Sequence, residues 1–383
     1  MTSKLRVAVV GAGIGGFAVA TALLRKGFEV AIYEQATAFA RVGAGIQVSP
    51  NAVRVLRGFG LEEHIRAHAF QPRHWKNRAS DTGESKFDFT LGQQAEEQYK
   101  APYLLMHRAD LHASLQSLVP KEIIRLKHSL AALEEKRGGV TLRFTDGSTA
   151  EADLVVGADG VHSVVREHLF GVEQPRFSGR VAYRTTFPAS LLGGLQLDDN
   201  TKWWGPDRHI VIYYVNPRRD ELYFVTSVPE PDWTSESWSK VGDVDALRAA
   251  FADFHPDVRR VLDACPKVHK WAIALRDPLP MWSSPRIVLL GDSCHPMTPY
   301  MAQGAAMAME DAVILARCLD GAGPHDLEER FRRYEHTRKD RTSRMQIRSR
   351  ENRFMSGQTN PDWVYAYDPW TTPLADAPTV SHA

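Results

Sequence analysis

A glycine-rich turn set between a strand and a helix constrains this chain most. Leu5-Arg6-Val7-Ala8-Val9-Val10 is a continuous apolar run, and Gly11-Ala12-Gly13-Ile14-Gly15-Gly16 follows it at once. A short apolar run of this kind reads as a strand buried on both faces of a parallel sheet. Gly11 permits a tight turn, Gly13 lets the backbone approach a pyrophosphate, and Gly16 lets helix and strand pack closely. The helix that starts there offers unpaired N–H groups and a positive dipole end to phosphates. An alanine- and leucine-rich helix up to Gly27 and a second apolar strand, Val30-Ala31-Ile32-Tyr33, complete a βαβ unit. Glu34 ends that strand, where a carboxylate accepts the hydroxyls of an adenosine ribose.

Two later turns repeat the arrangement of an acidic turn at the end of an apolar strand. The first is Asp153-Leu154-Val155-Val156-Gly157-Ala158-Asp159-Gly160, which leads into a helix carrying Arg166. The second is Ile287-Val288-Leu289-Leu290-Gly291-Asp292, continuing through Pro296 and Pro299 to a helix start at Gln303-Gly304-Ala305-Ala306. Small residues at a helix N-terminus let the backbone meet an anionic group, such as the edge of a reduced flavin.

Between these motifs the chain changes character. From Gly179 to Lys270 there are short aromatic-rich strands, among them Ile210-Val211-Ile212-Tyr213-Tyr214 and Leu222-Tyr223-Phe224-Val225, separated by turn residues. They predict a mostly antiparallel sheet inserted into an α/β domain. Helical periodicity returns over 244–264, and again from Gly304 to Leu319 and from Asp326 to Arg350. The arginine-rich last stretch reads as a solvated helix face, and the proline-containing tail after Gly357 as a surface wrap.

Composition narrows the function classes. The 383 residues suit two packed domains, and a net charge of +1 argues against a dedicated nucleic-acid binder. Cys265, Cys294 and Cys318 are odd in number and lack metal spacing, so neither a disulfide framework nor a metal site is expected. The apolar run at 5–10 is too short for a signal-peptide core, and no stretch reaches the ~20 apolar residues of a membrane span. A cytoplasmic enzyme without membrane or nucleic-acid partners is the expectation.

With its three strand-end motifs in this order, the chain resembles the group A FAD-dependent aromatic hydroxylases, the family of para-hydroxybenzoate and salicylate hydroxylases. The resemblance covers nearly the whole chain. It implies an α/β fold in which a Rossmann-like FAD-binding domain (1–178 and 273–350) carries an inserted antiparallel substrate sheet (179–272), with a tail at 351–383. It also implies bound FAD, NADH or NADPH as a transient reductant, and O2 with a small aromatic acid as substrates, in a monomer or homodimer serving aromatic catabolism. Residue by residue, Gly11, Gly13, Gly15, Gly16, Glu34, Gln35, Leu130 and Arg108 would contact FAD from the N-terminal half. Asp159, Arg166, Asp292, Gly304 and Ala305 would do so from the later motifs, with Asp159 and Arg166 also serving the nicotinamide.

Within the family, the segments Val42–Ile46, Lys202-Trp203-Trp204, Asp207-Arg208-His209, Met301–Gly304 and Pro361–Tyr365 are similar to the 6-hydroxynicotinate 3-monooxygenase branch. Decarboxylative hydroxylation of 6-hydroxynicotinate to 2,5-dihydroxypyridine follows as the expected reaction. An electrophilic oxygen needs an electron-rich ring, and His209 or Tyr213 would supply it by deprotonating or hydrogen-bonding a ring hydroxyl. Strand alternation puts His209, Val211 and Tyr213 on one face. Gln47 and Tyr300 stand where that branch has histidines, so both join the candidate catalytic group. These departures keep salicylate, 3-hydroxybenzoate or another pyridine or benzoate acid open as the substrate. A flavin oxidase or dehydrogenase and a flavin-fold carrier without chemistry are the rival classes.

Overall fold

In the computed structural model the described residues are 4–41, 43–233, 241–357 and 359–376. Val42 of the Val42–Ile46 match lies outside them, as do the insertion residues 234–240 and the tail residues 377–383.

Five parallel strands form the first sheet, in the order Ile287–Leu289, Leu154–Gly157, Arg6–Val10, Glu29–Tyr33 and Ile124–Arg125. Val7 pairs with both Leu154 and Val30, and Val156 with Val288. The strands Leu154–Gly157 and Ile287–Leu289 are wholly buried, as their unbroken valine and leucine runs require. Because the strands are parallel, the turns after Val10, Tyr33, Gly157 and Leu289 open along one edge of the sheet, the side where ligands bind in open α/β sheets. The helix Ile14–Arg25 buries Phe17, Val19 and Leu23 and packs on the helix Gly304–Cys318. The two glycine-started helices therefore share one layer.

The second sheet has eight strands, and all neighbouring pairs but one are antiparallel. Its register places Trp204 opposite His209, Lys202 opposite Val211 and Asn200 opposite Tyr213. On the other flank Val211 faces Val225 and Tyr213 faces Tyr223. Directly paired residues share a face, so Lys202, His209, Val211, Tyr213, Tyr223 and Val225 all point the same way. The sheet also reaches outside 179–272. Strand His74–Ala79 joins Asn200–Trp204 in parallel, and Ser85–Thr90 pairs with it at the sheet edge. These two strands, His-Trp-Lys-Asn-Arg-Ala and Ser-Lys-Phe-Asp-Phe-Thr, are too polar to stand out as strands.

Three expectations need correction. The helical stretch at 244–264 is two helices, Val244–Ala250 and Pro256–Ala264, because Pro256 cannot continue a helix and starts a new one instead. The helix Leu327–Arg350 is not simply a solvated face: Arg338 is fully buried and pairs with Glu310 and Asp311 at 2.8 and 2.7 Å. Nor does the tail merely wrap the surface. Val364 and Tyr365 are buried, Arg54 donates to the carbonyls of Tyr365 and Tyr367, Arg341 to those of Trp363 and Val364, and Trp370 Nε1 donates to Arg54 O. Among the described residues no helix is long and apolar enough to cross a membrane.

Candidate active site

Two cavities meet at Gly13, Ala158 and Gly160, along the edge where the strand-end turns open. The smaller, about 240 Å³, is lined by Gly11, Glu34, Gln35, Leu130 and Asp159. The larger, about 380 Å³, has Gly15, Arg108, Asp292, Gly304 and Ala305 on one side. On its other side are Gln47, Lys202, His209, Tyr213 and Tyr300. A third hollow of about 460 Å³, lined by Arg78, Asp198, Trp203 and His255, is larger still. It contains none of the motif residues and lies behind the second sheet, since Trp203 alternates with Lys202.

The glycine turn is closed where the backbone must touch itself and open where a ligand would sit. A Cβ on Gly16 would lie 2.0 Å from Gly11 O, whereas one on Gly13 would meet nothing within 4 Å. The helices Ile14–Arg25 and Gly304–Cys318 have no side-chain cap and no acidic residue in their first turns. Their N-terminal N–H groups are thus free for an anion at the cavity walls. Glu34 accepts from Ala12 N at 2.9 Å and Ala36 N at 2.8 Å, which ties its carboxylate to the turn at the rim of the smaller cavity. Arg108 and Asp292 expose their side chains toward the larger cavity. Burial lowers the Arg108 pKa against the opposing pull of Asp292, and raises that of Asp292 against His295 and Arg108. An anionic group beside Arg108 and hydroxyl donors beside Asp292 would relieve that cost. The cradle, two cavities joined along the strand-end edge with a carboxylate, an arginine and two uncapped helix starts on their walls, therefore fits an extended dinucleotide such as FAD.

Two predicted residues sit behind the cavities instead of lining them. Gly16 is packing, as its contact with Gly11 shows. Arg166 is 2% exposed and donates to Ser293 O at 3.1 Å and Val161 O at 2.7 Å, tying the second motif loop to the third. Asp159 accepts from Ser163 Oγ and Val165 N and so caps the helix that carries Arg166. Replacing Gly16 with alanine forces the turn open and is expected to lower FAD retention at least tenfold. The flavin-to-protein absorbance ratio after gel filtration measures this, and an unchanged ratio would refute the closed-turn argument.

Gln47, the strand pair His209 and Tyr213, and Tyr300 come from three distant stretches and meet in the larger cavity. The Tyr103 hydroxyl donates to Gln47 Oε1, and the Gln47 side chain also bonds Tyr213. Gln47 lowers the Tyr213 pKa, as a donor to the phenol oxygen does, so the group facing Tyr213 is the Gln47 amide N–H. Burial, and then the neighbouring Tyr223 phenol, push the Tyr213 pKa well above the usual range; Arg184 and Gln47 oppose the shift without reversing it. Tyr213 thus remains a neutral phenol. Tyr300 Oη is 2.8 Å from Ser227 Oγ, and its ring meets that of His209 edge-on at 5.4 Å.

Sequence reading missed two cations in this cavity. Lys202 is 2% exposed, donates to Asn352 Oδ1 at 3.0 Å, and lies 3.8 Å from the centre of the Trp204 ring. Burial pushes its pKa well down. Arg184, also on the wall, stacks over Trp271 at 4.4 Å. A lysine in the apolar strand Asn200–Trp204 was a usable signal, because strand period two puts it beside Val211. Asn352, 150 residues further along, carried none.

Comparison with known proteins agrees with this geometry. A family model described as "FAD binding domain" matches residues 4–349. A 6-hydroxynicotinate 3-monooxygenase of Bordetella bronchiseptica is 45% identical, with 98% of each chain covered. One of Pseudomonas fluorescens is 43% identical, again over 98% of each chain. Among solved structures, Klebsiella pneumoniae HpxO complexed with FAD and uric acid aligns with a TM-score of 0.82 and 28% identity, covering 94% of this chain and 91% of that one.

Proposed function

The chain belongs to the FAD-binding family of flavin-dependent aromatic hydroxylases, and from that premise we propose that it hydroxylates a small hydroxylated aromatic acid, foremost 6-hydroxynicotinate, with loss of its carboxylate. Bound FAD, reduced by NAD(P)H, supplies the activation of O2 to an electrophilic oxygen. The observation that carries the substrate reading is the larger cavity itself. Val211, Val225, Trp75 and Trp271 give it flat apolar walls, and Lys202 and Arg184 place two cations among them. Two basic side chains on an otherwise apolar wall favour an anion, so an anionic ring is the complement such a wall takes.

In this reading Tyr213, kept neutral and oriented by Gln47, donates to the ring oxygen and stabilises its anionic form. Tyr300 and His209 bracket the ring's polar edge. The cations hold the carboxylate, and the packed sheet keeps water from the reacting carbon. As the carbon–oxygen bond forms at the carboxyl-bearing carbon, the carboxylate leaves as carbon dioxide, and its bond pair restores the aromatic ring. Glu34, Arg108, Asp292 and the two helix starts hold the cofactor.

Oxygen uptake and product mass with purified protein, FAD, NADH and 6-hydroxynicotinate test the proposal. A product that has gained hydroxyl and lost carbon dioxide is expected. If only peroxide forms, Gln47 and Tyr300, where the resemblance leads us to expect histidines, direct the search to salicylate, 3-hydroxybenzoate and other pyridine acids. A cytoplasmic location and a monomeric or homodimeric state belong to the same proposal. Three buried free thiols support the location, and light scattering on the purified protein tests the state.

A further inference from the structure

Asn352 lies just past the end of the helix Leu327–Arg350, with a left-handed φ of 51° and its N–H bonded to Ser349 O. Asparagine tolerates this conformation better than most residues, and helices commonly end on it. The turn carries its side chain under the second sheet, between Lys202 and His209. Lys202 Nζ is 3.0 Å from Asn352 Oδ1, and Asn352 Nδ2 is 3.3 Å from His209 Nδ1.

The direction of this chain of hydrogen bonds is not free. Lys202 Nζ donates to Asn352 Oδ1, so the amide atom facing Lys202 is the oxygen. The amide then presents its N–H to His209, and Nδ1 must accept with a lone pair. We propose that Asn352, locked by Lys202, fixes His209 as the tautomer protonated on Nε2, so that His209 meets the substrate's ring oxygen as a hydrogen-bond donor and not as a base. This rests on the reading of the cavity as an aromatic-acid site.

Several observations support it. His209 is 4% exposed and lines the cavity, and among the described residues its Nε2 has no hydrogen-bond partner, which leaves that edge for a ligand. The charged groups facing it are Lys202 on the neighbouring strand and Arg180, both cations, while Tyr300 and Trp204 pack on its ring. Burial first, then those two cations, push its pKa well down, so an imidazolium is disfavoured. Gln47 imposes the same polarity on Tyr213. Both polar side chains then offer protons to one ligand oxygen, an arrangement that stabilises a ring oxyanion. Asn352 is a positioning residue in this scheme, acting through His209.

The test is ring ¹⁵N NMR of histidine-labelled holoenzyme, with His209→Gln identifying the resonance. Wild type is expected to show a protonated Nε2 and a bare Nδ1, unchanged across the neutral pH range. Adding an aromatic acid that the enzyme turns over should shift the Nε2–H signal. In Asn352→Asp, a near-isosteric change, the carboxylate accepts from both neighbours. The proton should move to Nδ1, and the His209 pKa should rise into the accessible range. The pH profile of hydroxylation then gains an acid limb that wild type lacks. A wild-type Nδ1–H or imidazolium form, an Nε2–H signal unmoved by substrate, or an Asn352→Asp spectrum and profile matching wild type would each overturn the inference. Failure of every aromatic acid to turn over is a separate result: it sinks the substrate reading and with it the donor role, whatever tautomer the spectrum records.

Discussion

Replacing Arg338 with leucine is expected to cost about 3–5 kcal/mol of folding stability, the usual price of leaving buried carboxylates without their cation. Arg338 is fully buried, with Nε donating to Asp311 at 2.7 Å and Nη1 in ion-pair contact with Glu310 at 2.8 Å. Both carboxylates are themselves 0% exposed. Arg341 would still serve Glu310, and His295 would still serve Asp311. Asp311 also accepts from Gly291 N at the start of the third motif loop, so the damage should reach the cofactor. The urea midpoint should fall without a change in slope, and flavin content should fall with it. A loss below about 1 kcal/mol, the range of exposed ion pairs, would show that the network does not bear on stability.

The pH dependence of this difference follows from the same charges. Burial alone raises both carboxyls, but Arg341 and Arg338 at Glu310, and His295 and Arg338 at Asp311, more than reverse it, so both pKa values lie below the usual range. Carboxyls with depressed folded-state pKa values contribute stability above the unfolded value of about 4 and lose it as the pH falls through the folded value. The gap between wild type and Arg338→Leu should therefore be full at neutral pH and narrow below about pH 4.

That network also marks how far the sequence can be read. The parallel sheet was legible because each buried strand is a local run ending in a turn with its own chemistry, and Gly11, Asp159 and Asp292 needed no partner to be noticed. The face shared by His209 and Tyr213 was legible from strand alternation alone. Arg338 was not: Leu327, Phe331, Tyr334 and Met345 mark the inward side at helical spacing, but a charged residue on that side shows its role only through the acids that bury it, and those lie on another helix. The strands at 74–90 join the second sheet by long-range pairing, and no local pattern reports that. Lys202 and Asn352 escaped for a related reason. A polar residue becomes part of a site only when the fold supplies the buried partner that aims it, and here the partners are 150 residues apart.

Tyr213→Phe tests the chemistry where packing is least disturbed. The ring is 2% exposed and lies 5.0 Å from that of Tyr223, and phenylalanine keeps that contact. What is lost is one oxygen, which bonds Gln47 and is held neutral by burial. If Tyr213 donates to the ring oxygen and so holds it in the anionic form that makes the ring electron-rich before the new bond forms, removing that donor should lower hydroxylation by about 10²–10³-fold. FAD content should not change, because neither Glu34 nor the glycine turn is touched. NADH should still be consumed, with the oxygen appearing as hydrogen peroxide and no longer in the product. The ratio of product to NADH is thus the decisive quantity, since a packing defect would depress both together. A variant that couples as tightly as wild type would remove Tyr213 from the chemistry and leave His209, with its proton on Nε2, as the sole donor to the ring.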